Sequence, residues 1–249
     1  SIAATAVTVN GSPDYVSSGN NFNPYIDFTL SNVGATGGDY LRTADLNIRS
    51  YFVVAKLNNI NRQSTHMVTY DGVTFSAPCG GCAIHGGENG GVIAQYSELG
   101  SGNANFQSAG VWRKNGDASG VAYNTAQSGN YDIVTSLGNG TGSVNAFLGG
   151  QVDNLPGFNG RLRDWYGPVG ELIANTGAIT TAQANRIESY LGIKYGITLG
   201  GNASTTLAYT STTGTTIWTA NSGYHYDVTG IGAESLEGLQ QNKSKSVNV

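Results

Sequence analysis

The sequence predicts an all-β protein, built as an antiparallel sandwich or barrel, with one amphipathic helix in its C-terminal third. Two observations support this prediction. Short stretches of period-two or β-branched character recur along the chain, and turn sequences rich in Gly, Asn and Asp separate them. One segment, residues 180–196, instead has helical spacing and helix-capping residues at both ends. With 249 residues, the chain is long enough to bury a substantial core.

The predicted strands are short segments in which β-formers dominate. They are residues 1–9, 25–30, 50–57, 67–70, 91–96, 131–137 and 145–148. Residues 52–55 (FVVA) lack any polar interruption, so we expect them in a central strand that is covered on both faces. The sequences at 70–72, 114–117 and 138–140 supply the positive-φ residues that hairpins need.

The helix prediction, residues 181–195, agrees with local signals at every level. Thr180 and Gln183 have the spacing of a capping box, and Gly196 stands where a left-handed C-cap is expected. The side chains at helical spacing on one face are apolar or aromatic. They are Ala184, Ile187, Tyr190, Leu191 and Tyr195. We therefore expect one amphipathic helix that packs against the sheets.

Composition excludes two classes of function. The formal net charge is -4, and only 11% of residues are charged, so the chain lacks the basic surface that nucleic-acid binding requires. No apolar run approaches the roughly 18 to 20 residues that span a bilayer. The low charge, 37 glycines and abundant Asn and Thr are typical of an extracellular or bacterial cell-surface β protein.

Several motifs resemble a known family. Residues 170–199 (GELIANTGAITTAQANRIESYLGIKYGITL) resemble the end of concanavalin A-like, LamG-type domains of bacterial surface proteins. Residues 23–28 (NPYIDF), 39–43 (DYLRT) and 51–56 (YFVVAK) resemble the first strands of that domain. The resemblance implies a two-sheet jelly roll over residues 1–200 whose relatives bind glycans or protein surfaces, often with calcium in loops. It does not imply catalysis, because one fold hosts many functions.

The remaining residues, 201–249, are expected to form a β-rich extension. Residues 217–249 resemble the start of a module that often follows this domain in large secreted proteins, but residues 230–234 read GIGAE where that module has GIGRDD. The chain ends in the middle of this pattern, which suggests a fragment of a longer polypeptide. We expect a strand at residues 244–249, which is suited to self-association by strand exchange.

The pattern of acidic residues argues against an enzyme. Polysaccharide-cleaving relatives place two carboxylates close together through a Glu-x-Asp-x-x-Glu arrangement, which this sequence lacks. A cross-strand pair of Glu171 with Asp164 stays open, although both side chains are more readily explained as solvated or bonded to Arg161 or Arg163. The sequence contains no Gly-x-Ser-x-Gly elbow and no His-Glu-x-x-His string.

Two cysteines, Cys79 and Cys82, lie in a Cys-Gly-Gly-Cys sequence. We interpret them as a local disulfide that pins an exposed loop. Two alternatives stay open. His85 could complete a three-ligand metal site, although structural zinc needs four ligands. A redox role would need the first cysteine at a helix start, and Pro78 argues against a helix there.

The candidate ligand-binding residues combine aromatic side chains with polar neighbours, because sugar rings stack on aromatics while polar groups bond the hydroxyls. They are Trp112, Arg113, Asn115 and Asp117, and Arg163, Asp164, Trp165 and Tyr166. For Trp165 and Tyr166, a place in the core is an equal alternative. Oxygen ligands for calcium could come from Asp71, Asp153 and Asn154.

Three function classes follow from this reading. The first is a non-catalytic adhesion module that binds a glycan or a cell-surface protein through loops of the sandwich, with no required cofactor and calcium as an option. The second is a structural subunit of an extracellular filament or surface layer. The third is a polysaccharide-degrading enzyme.

Overall fold

The computed structural model describes residues 5–7, 13–28, 40–46, 50–56, 58, 65–70, 82–86, 92–94, 111–118, 125–126, 130–137, 144–148, 165–200, 207–221, 223, 229–236 and 238–246. Within these residues the protein is mostly β, with antiparallel sheets and one α-helix, as the sequence predicts. Each stretch of strand predicted within residues 1–148 overlaps a strand of the structure.

The strands are numbered in chain order. They are β1 (Thr5–Val7), β2 (Asp14–Val16), β3 (Tyr25–Phe28), β4 (Tyr40–Leu46), β5 (Ser50–Ala55), β6 (Thr65–Tyr70), β7 (Cys82–Gly86), β8 (Val92–Ala94), β9 (Val111–Lys114), β10 (Thr125–Ala126), β11 (Asp132–Leu137), β12 (Val144–Leu148), β13 (Gly167–Asn175), β14 (Tyr209–Thr210), β15 (Thr216–Trp218), β16 (Gly232–Glu234) and β17 (Leu239–Gln241). Seven strands form one sheet in the order β1-β4-β12-β6-β7-β8-β10, and six form a second in the order β2-β3-β13-β5-β11-β9.

Strand β5 is central in the six-stranded sheet, where it pairs with β11 on one side and β13 on the other. All six of its residues are buried. Because side chains alternate between the two faces of a strand, Phe52 and Val54 lie on one face, and Tyr51 and Val53 on the other. The predicted central strand, covered on both faces, is therefore confirmed.

The helix, α1 (Thr181–Tyr195), has the predicted limits. The Thr180 hydroxyl accepts a hydrogen bond from the Gln183 backbone N–H at 3.3 Å, and the Gln183 side chain accepts one from the Thr180 backbone at 2.9 Å. Gly196 adopts φ 68° and ends the helix in the left-handed conformation. Both predicted caps are thus confirmed. They could be predicted from the sequence because each depends only on neighbouring residues.

Helix α1 packs on one face of the six-stranded sheet. Its buried Ala184, Leu191 and Tyr195 join Phe52 and Val54 of β5 in a single hydrophobic core. Ile187 and Tyr190, which the sequence places on the same face, are partly buried against this core. The predicted apolar face is therefore the docking face of the helix.

The turn after β9 has the geometry that the sequence predicts. Asn115 has φ 49° and Gly116 has φ 82°, and Lys114 pairs with Asp117 across the turn. Two central residues at positive φ are typical of a tight hairpin connection, for which Asn-Gly is the preferred sequence.

One local prediction is wrong. The sequence places Cys82 in an exposed loop, whereas Cys82–Gly86 forms strand β7, which pairs with β6 and β8. Gly86 favours a loop locally, but pairing with two neighbouring strands outweighs that preference. Each partner strand forms hydrogen bonds with backbone groups that only water would satisfy in a loop.

The segment after the helix forms two small hairpins, β14–β15 and β16–β17. Both contact α1, and Arg186 of the helix donates a hydrogen bond to the carbonyl oxygen of Thr212 in the first hairpin at 3.2 Å. The two hairpins therefore pack on the helix.

The expected C-terminal strand at 244–249 is not formed at residues 244–246. There the backbone N–H of Lys245 donates to the side-chain oxygen of Asn21 at 2.6 Å, and Ser244 accepts a bond from the Asn21 amide at 3.2 Å. Side-chain contacts, instead of a strand partner, hold this part of the segment. Residues 247–249 lie outside the described residues.

Candidate functional site

A cleft of about 430 Å³ opens between α1 and the two C-terminal hairpins. Its walls combine aromatic and apolar side chains with hydroxyl groups. The lining residues are Tyr190, Ile193, Tyr209, Thr210, Ser211, Ile217, Trp218, Thr229, Gly230, Ile231, Gly232, Ala233, Glu234 and Leu239. A concave, mostly apolar surface with a few polar groups is the usual form of a ligand site.

Tyr209 and Trp218 form an aromatic wall of the cleft, and hydrogen bonds to the backbone hold Tyr209 in place. Tyr209 is buried, and its hydroxyl accepts from the Leu199 backbone N–H at 2.9 Å and donates to the Ile197 carbonyl at 3.2 Å. The Tyr209 and Trp218 rings meet edge to face, with centroids 5.7 Å apart. Burial raises the pKa of the Tyr209 hydroxyl. This wall is therefore a rigid aromatic surface, neutral at ordinary pH.

Exposed apolar side chains lie at the rim of the cleft. Ile217 is 55% exposed and Ile231 is 74% exposed, although both are strongly hydrophobic. The neighbouring Gly232 has no atom within 4 Å of the place where a β-carbon would stand, so the space beside it is open. Exposed apolar surface beside a concavity indicates a contact surface for a ligand or partner.

One carboxylate lies in the cleft wall. Glu234 accepts a hydrogen bond from the Thr212 hydroxyl at 2.6 Å, which joins the two hairpins and orients the carboxylate. A carboxylate retains further lone pairs for hydroxyl donors of a ligand. Glu234 belongs to the GIGAE sequence at residues 230–234, which differs from the pattern of the module that the segment resembles.

Two of the four predicted ligand-binding residues on β9 and its turn lie inside the protein. Arg113 and Asn115 are buried, whereas Asp117 is half-buried. Asn115 donates to Asp132 at 2.9 Å and accepts from the backbone of Ile133 at 2.7 Å. The Trp112 backbone pairs with Ser136 in β11. The interpretation of Arg113 and Asn115 as surface ligand contacts is therefore wrong, because internal bonds occupy their polar groups.

Arg113 forms a buried ion pair with Glu188 of the helix, with Nη2 2.8 Å from Oε2. Thr135 donates to the same carboxylate at 2.9 Å, and Asn185 accepts from the guanidinium at 2.5 Å. Burial raises the pKa of the Glu188 carboxyl, and its bonds with Arg113 and Thr135 oppose that rise. Sequence reasoning missed this cluster because its partners lie on three separate elements.

The second predicted group divides between described and undescribed residues. Trp165 is only 1% exposed and belongs to the core, while Tyr166 is half-buried. Trp165 therefore follows the core alternative, and its indole is not available for stacking on a sugar. Arg163 and Asp164 lie outside the described residues.

The predicted calcium ligands Asp71, Asp153 and Asn154 also lie outside the described residues, as does Cys79. The disulfide of Cys79 with Cys82 is thus not tested. Within the described part of the chain, no group of three or more His, Cys, Asp and Glu side chains is placed to hold a metal ion.

Glu171, for which the sequence leaves a pair with Asp164 open, contacts the helix. Its carboxylate lies 2.8 Å from the ammonium group of Lys194 and accepts from the Tyr190 and Tyr195 hydroxyls at 3.1 and 3.3 Å. Burial alone lowers the pKa of Lys194, but its bonds with Glu171 and Tyr190 outweigh that effect and raise it. This cluster links β13 to α1, and the side chains of Lys194 and Glu171 are partly exposed to solvent.

A pair of aspartates was not foreseen from the sequence. Asp14 of β2 stands directly opposite Asp27 of β3, and one carboxylate oxygen of Asp27 is buried with no hydrogen-bond partner. Burial, and then the charge of Asp14, raise the pKa of Asp27. The two residues are 13 positions apart, so only the strand register reveals the pair.

Among the described residues, α1 is the longest helix at 15 residues, and no helix there has the length and apolar character needed to cross a bilayer. Residues 183–249 match the model of a family described as a domain of unknown function, DUF8202. No curated protein and no solved structure matches the chain. The family match begins within α1, crosses the predicted boundary at residues 200 and 201, and contains every residue that lines the cleft.

Proposed function

We propose that this protein is a non-catalytic extracellular binding and adhesion module that holds its ligand in the cleft between α1 and the C-terminal hairpins. The observation that carries the proposal is the exposure of Ile217 and Ile231 beside the aromatic wall of Trp218 and Tyr209. Leaving this much apolar surface in water is unfavourable unless a ligand covers it.

The chemistry of the cleft favours a glycan ligand. Trp218 and Tyr190 offer ring surfaces for the C–H face of a sugar. Ser211, Thr229 and the Glu234 carboxylate supply donors and acceptors for sugar hydroxyls around those rings. The alternative ligand is a protein surface that inserts an apolar side chain. A glycan array distinguishes a glycan from a protein ligand.

The proposed architecture is a two-sheet jelly roll of the concanavalin A-like, LamG type. Two antiparallel sheets of seven and six strands support it, together with the resemblance of residues 170–199 and the first strands. The face of β5 opposite the helix is also buried, as a second sheet packed against it would require. Export to the cell surface is proposed from the composition, with its low charge and many glycines.

A glycan array followed by calorimetry tests the binding proposal. Trp218→Ala is expected to weaken glycan binding by at least about tenfold, as loss of an aromatic anchor does. Ile231→Glu should do the same without threatening the fold, because Ile231 is so exposed. The matched control is Leu236→Ala, an exposed leucine outside the cleft. Unchanged affinity in both cleft variants, or binding by a protein partner alone, would contradict the glycan proposal.

One observation favours a second candidate, a polysaccharide-degrading enzyme. Asp14 and Asp27 face each other in register, and the raised pKa of Asp27 is a property of general acids. Release of reducing ends from plant or marine polysaccharides, abolished by Asp27→Asn and retained in Trp218→Ala, would establish it over the binding module. Absence of release from the wild-type protein would remove it.

A further inference from the structure

A strained aromatic residue lies far along the sequence from the cleft residues. In the turn Asn20–Asn23, the backbone N–H of Asn23 donates to the Asn20 carbonyl at 3.0 Å. The two central residues both have positive φ, 48° for Asn21 and 65° for Phe22. Turns of this kind take Asn-Gly by preference, because a β-carbon is unfavourable in the second central position. Phe22 occupies the place of that glycine.

The turn is fixed by the end of the helix. The Asn20 side chain donates to the Tyr195 carbonyl at 3.0 Å, and the side chains of Asn21 and Asn23 donate to the Lys194 carbonyl at 2.9 and 2.5 Å. These carbonyls have no partner within the helix, so the three amides complete its C-terminal hydrogen bonding. The surrounding contacts therefore impose the turn conformation.

The C-terminal segment closes over the same turn. Gln241 donates to the Asn21 carbonyl at 3.1 Å, and the backbone N–H of Lys245 donates to the Asn21 side chain at 2.6 Å. The Asn21 side chain is completely buried in these contacts. None of them uses the Phe22 side chain, so the network would hold equally well with glycine at that position.

The Phe22 ring instead faces solvent between two cations. Phe22 is 47% exposed, and the ammonium groups of Lys243 and Lys245 lie 5.9 and 5.8 Å from its ring centre. Both lysines are exposed, and among the residues that the structure describes neither pairs with a carboxylate. Two positive charges share one ring on a protein whose net charge is negative.

Backbone strain that is not needed for packing marks a position held for function. We propose that Phe22, Lys243 and Lys245 form a binding site for an acidic polysaccharide, separate from the cleft. The exposed ring accepts the apolar C–H face of a uronate sugar, and the two ammonium groups bind its carboxylate. A uronate carries ring and carboxylate in one rigid unit, whereas an acidic peptide would have to order flexible side chains at a further entropic cost.

Calorimetry of the full chain with polygalacturonate as the probe, at low salt, tests this site. We expect Lys243→Gln/Lys245→Gln to weaken binding by at least about tenfold, because charge-assisted hydrogen bonds are lost. Phe22→Gly should weaken binding to a similar degree while the midpoint of thermal unfolding stays unchanged or rises, since glycine relieves the strain. Binding lost together with gained or unchanged stability is an outcome that a purely structural Phe22 does not produce.

Two controls define the specificity. Lys56→Gln removes a cation elsewhere in the described part of the chain and should leave affinity within about twofold. Fully methyl-esterified polygalacturonate, which lacks the charge, should not bind. The proposal is overturned if polygalacturonate does not bind the wild type, if Phe22→Gly retains full affinity, or if polyglutamate or anionic lipid vesicles bind as tightly. The cleft proposal survives each of those results, because it depends on other residues.

Discussion

Two ion pairs connect α1 to the six-stranded sheet, and they differ in how much water reaches them. Arg113 and Glu188 pair with side-chain exposures of 7% and 0%, whereas Lys194 and Glu171 pair at 25% and 23%. The contact distance is 2.8 Å in both. The two pairs therefore differ in energy although their distances are equal. Removing one partner of the buried pair leaves the other charge unpaired in the core, whereas the remaining charge of the partly exposed pair is solvated by water.

The buried pair also has the more complete set of partners. Glu188 receives bonds from Arg113 and Thr135, and Arg113 donates in addition to Asn185. Such a cluster specifies one position of the helix on the sheet, since any shift leaves a buried charge unsatisfied. The Lys194 pair, joined by two tyrosine hydroxyls, tolerates small shifts because water can replace a lost bond.

The largest expected effect comes from breaking the buried pair. Arg113→Met leaves the Glu188 carboxylate unpaired and should lower the free energy of unfolding by about 3 to 5 kcal/mol, measured by urea denaturation. The double variant Arg113→Met/Glu188→Met removes both charges and should recover most of this loss. A single-variant loss under about 1 kcal/mol would show that Glu188 is solvated, against the burial seen here.

The apolar face of the same helix gives the next largest effect. Leu191→Ala removes a fully buried side chain from the shared core and should cost about 2 to 5 kcal/mol of unfolding free energy. Leu236→Ala, at a position that is 76% exposed, is the matched control and should change stability by less than about 0.5 kcal/mol. Similar losses in both variants would argue against docking of the helix through this face.

The partly exposed pair of Lys194 with Glu171 should contribute much less to stability. Lys194→Met removes the cation that Glu171 contacts, and we expect a loss of about 0.2 to 1 kcal/mol, because solvent screens the pair. The measurement is the same urea titration used for Arg113→Met. A loss equal to that of Arg113→Met would break the distinction between the two pairs.

The smallest expected effect is a dependence on alkaline pH. The raised pKa of Lys194 means that the folded protein holds this proton more tightly than the unfolded chain. The stability that results is complete below the ordinary value of 10.5 and is lost as pH rises through the folded pKa. Burial raises the pKa of Tyr190 as well, which adds a loss in the same direction. Thermal unfolding between pH 9 and about 11 should show a shallower decline in Lys194→Met than in the wild type, and equal slopes would contradict the assignment.

The helix shows how far sequence reasoning reaches. Thr180, Gln183 and Gly196 fix its ends through contacts with near neighbours, and its limits are predicted correctly. The buried character of β5 follows in the same way from an uninterrupted run of apolar residues. Glu188 shows where this reasoning stops. It stands four residues after Ala184 and three before Leu191, so helical spacing places it on the apolar face, but its main partner lies 75 positions away and no local signal identifies that partner.

The candidate sites were harder to predict than the fold. Arg113 and Asn115 are residue types typical of a sugar-binding surface, yet both are buried: Arg113 pairs with Glu188 of α1, and Asn115 bonds to Asp132 of β11. The cleft joins Tyr190 of the helix to Ile217 and Ile231 of two different hairpins. No sequence spacing relates these positions, because they lie on separate elements that tertiary packing brings together.

The sequence by itself determined the β-rich class and, within the described residues, the helix with its caps, because propensity and capping depend on neighbouring residues. Tertiary structure alone decided which polar side chains were buried and which apolar ones stayed in water. Burial depends on which distant parts of the chain pack against a residue. The exposure of Phe22 depends on contacts such as that of Asn21 with Lys245, 224 positions away, and the sequence around Phe22 does not predict it.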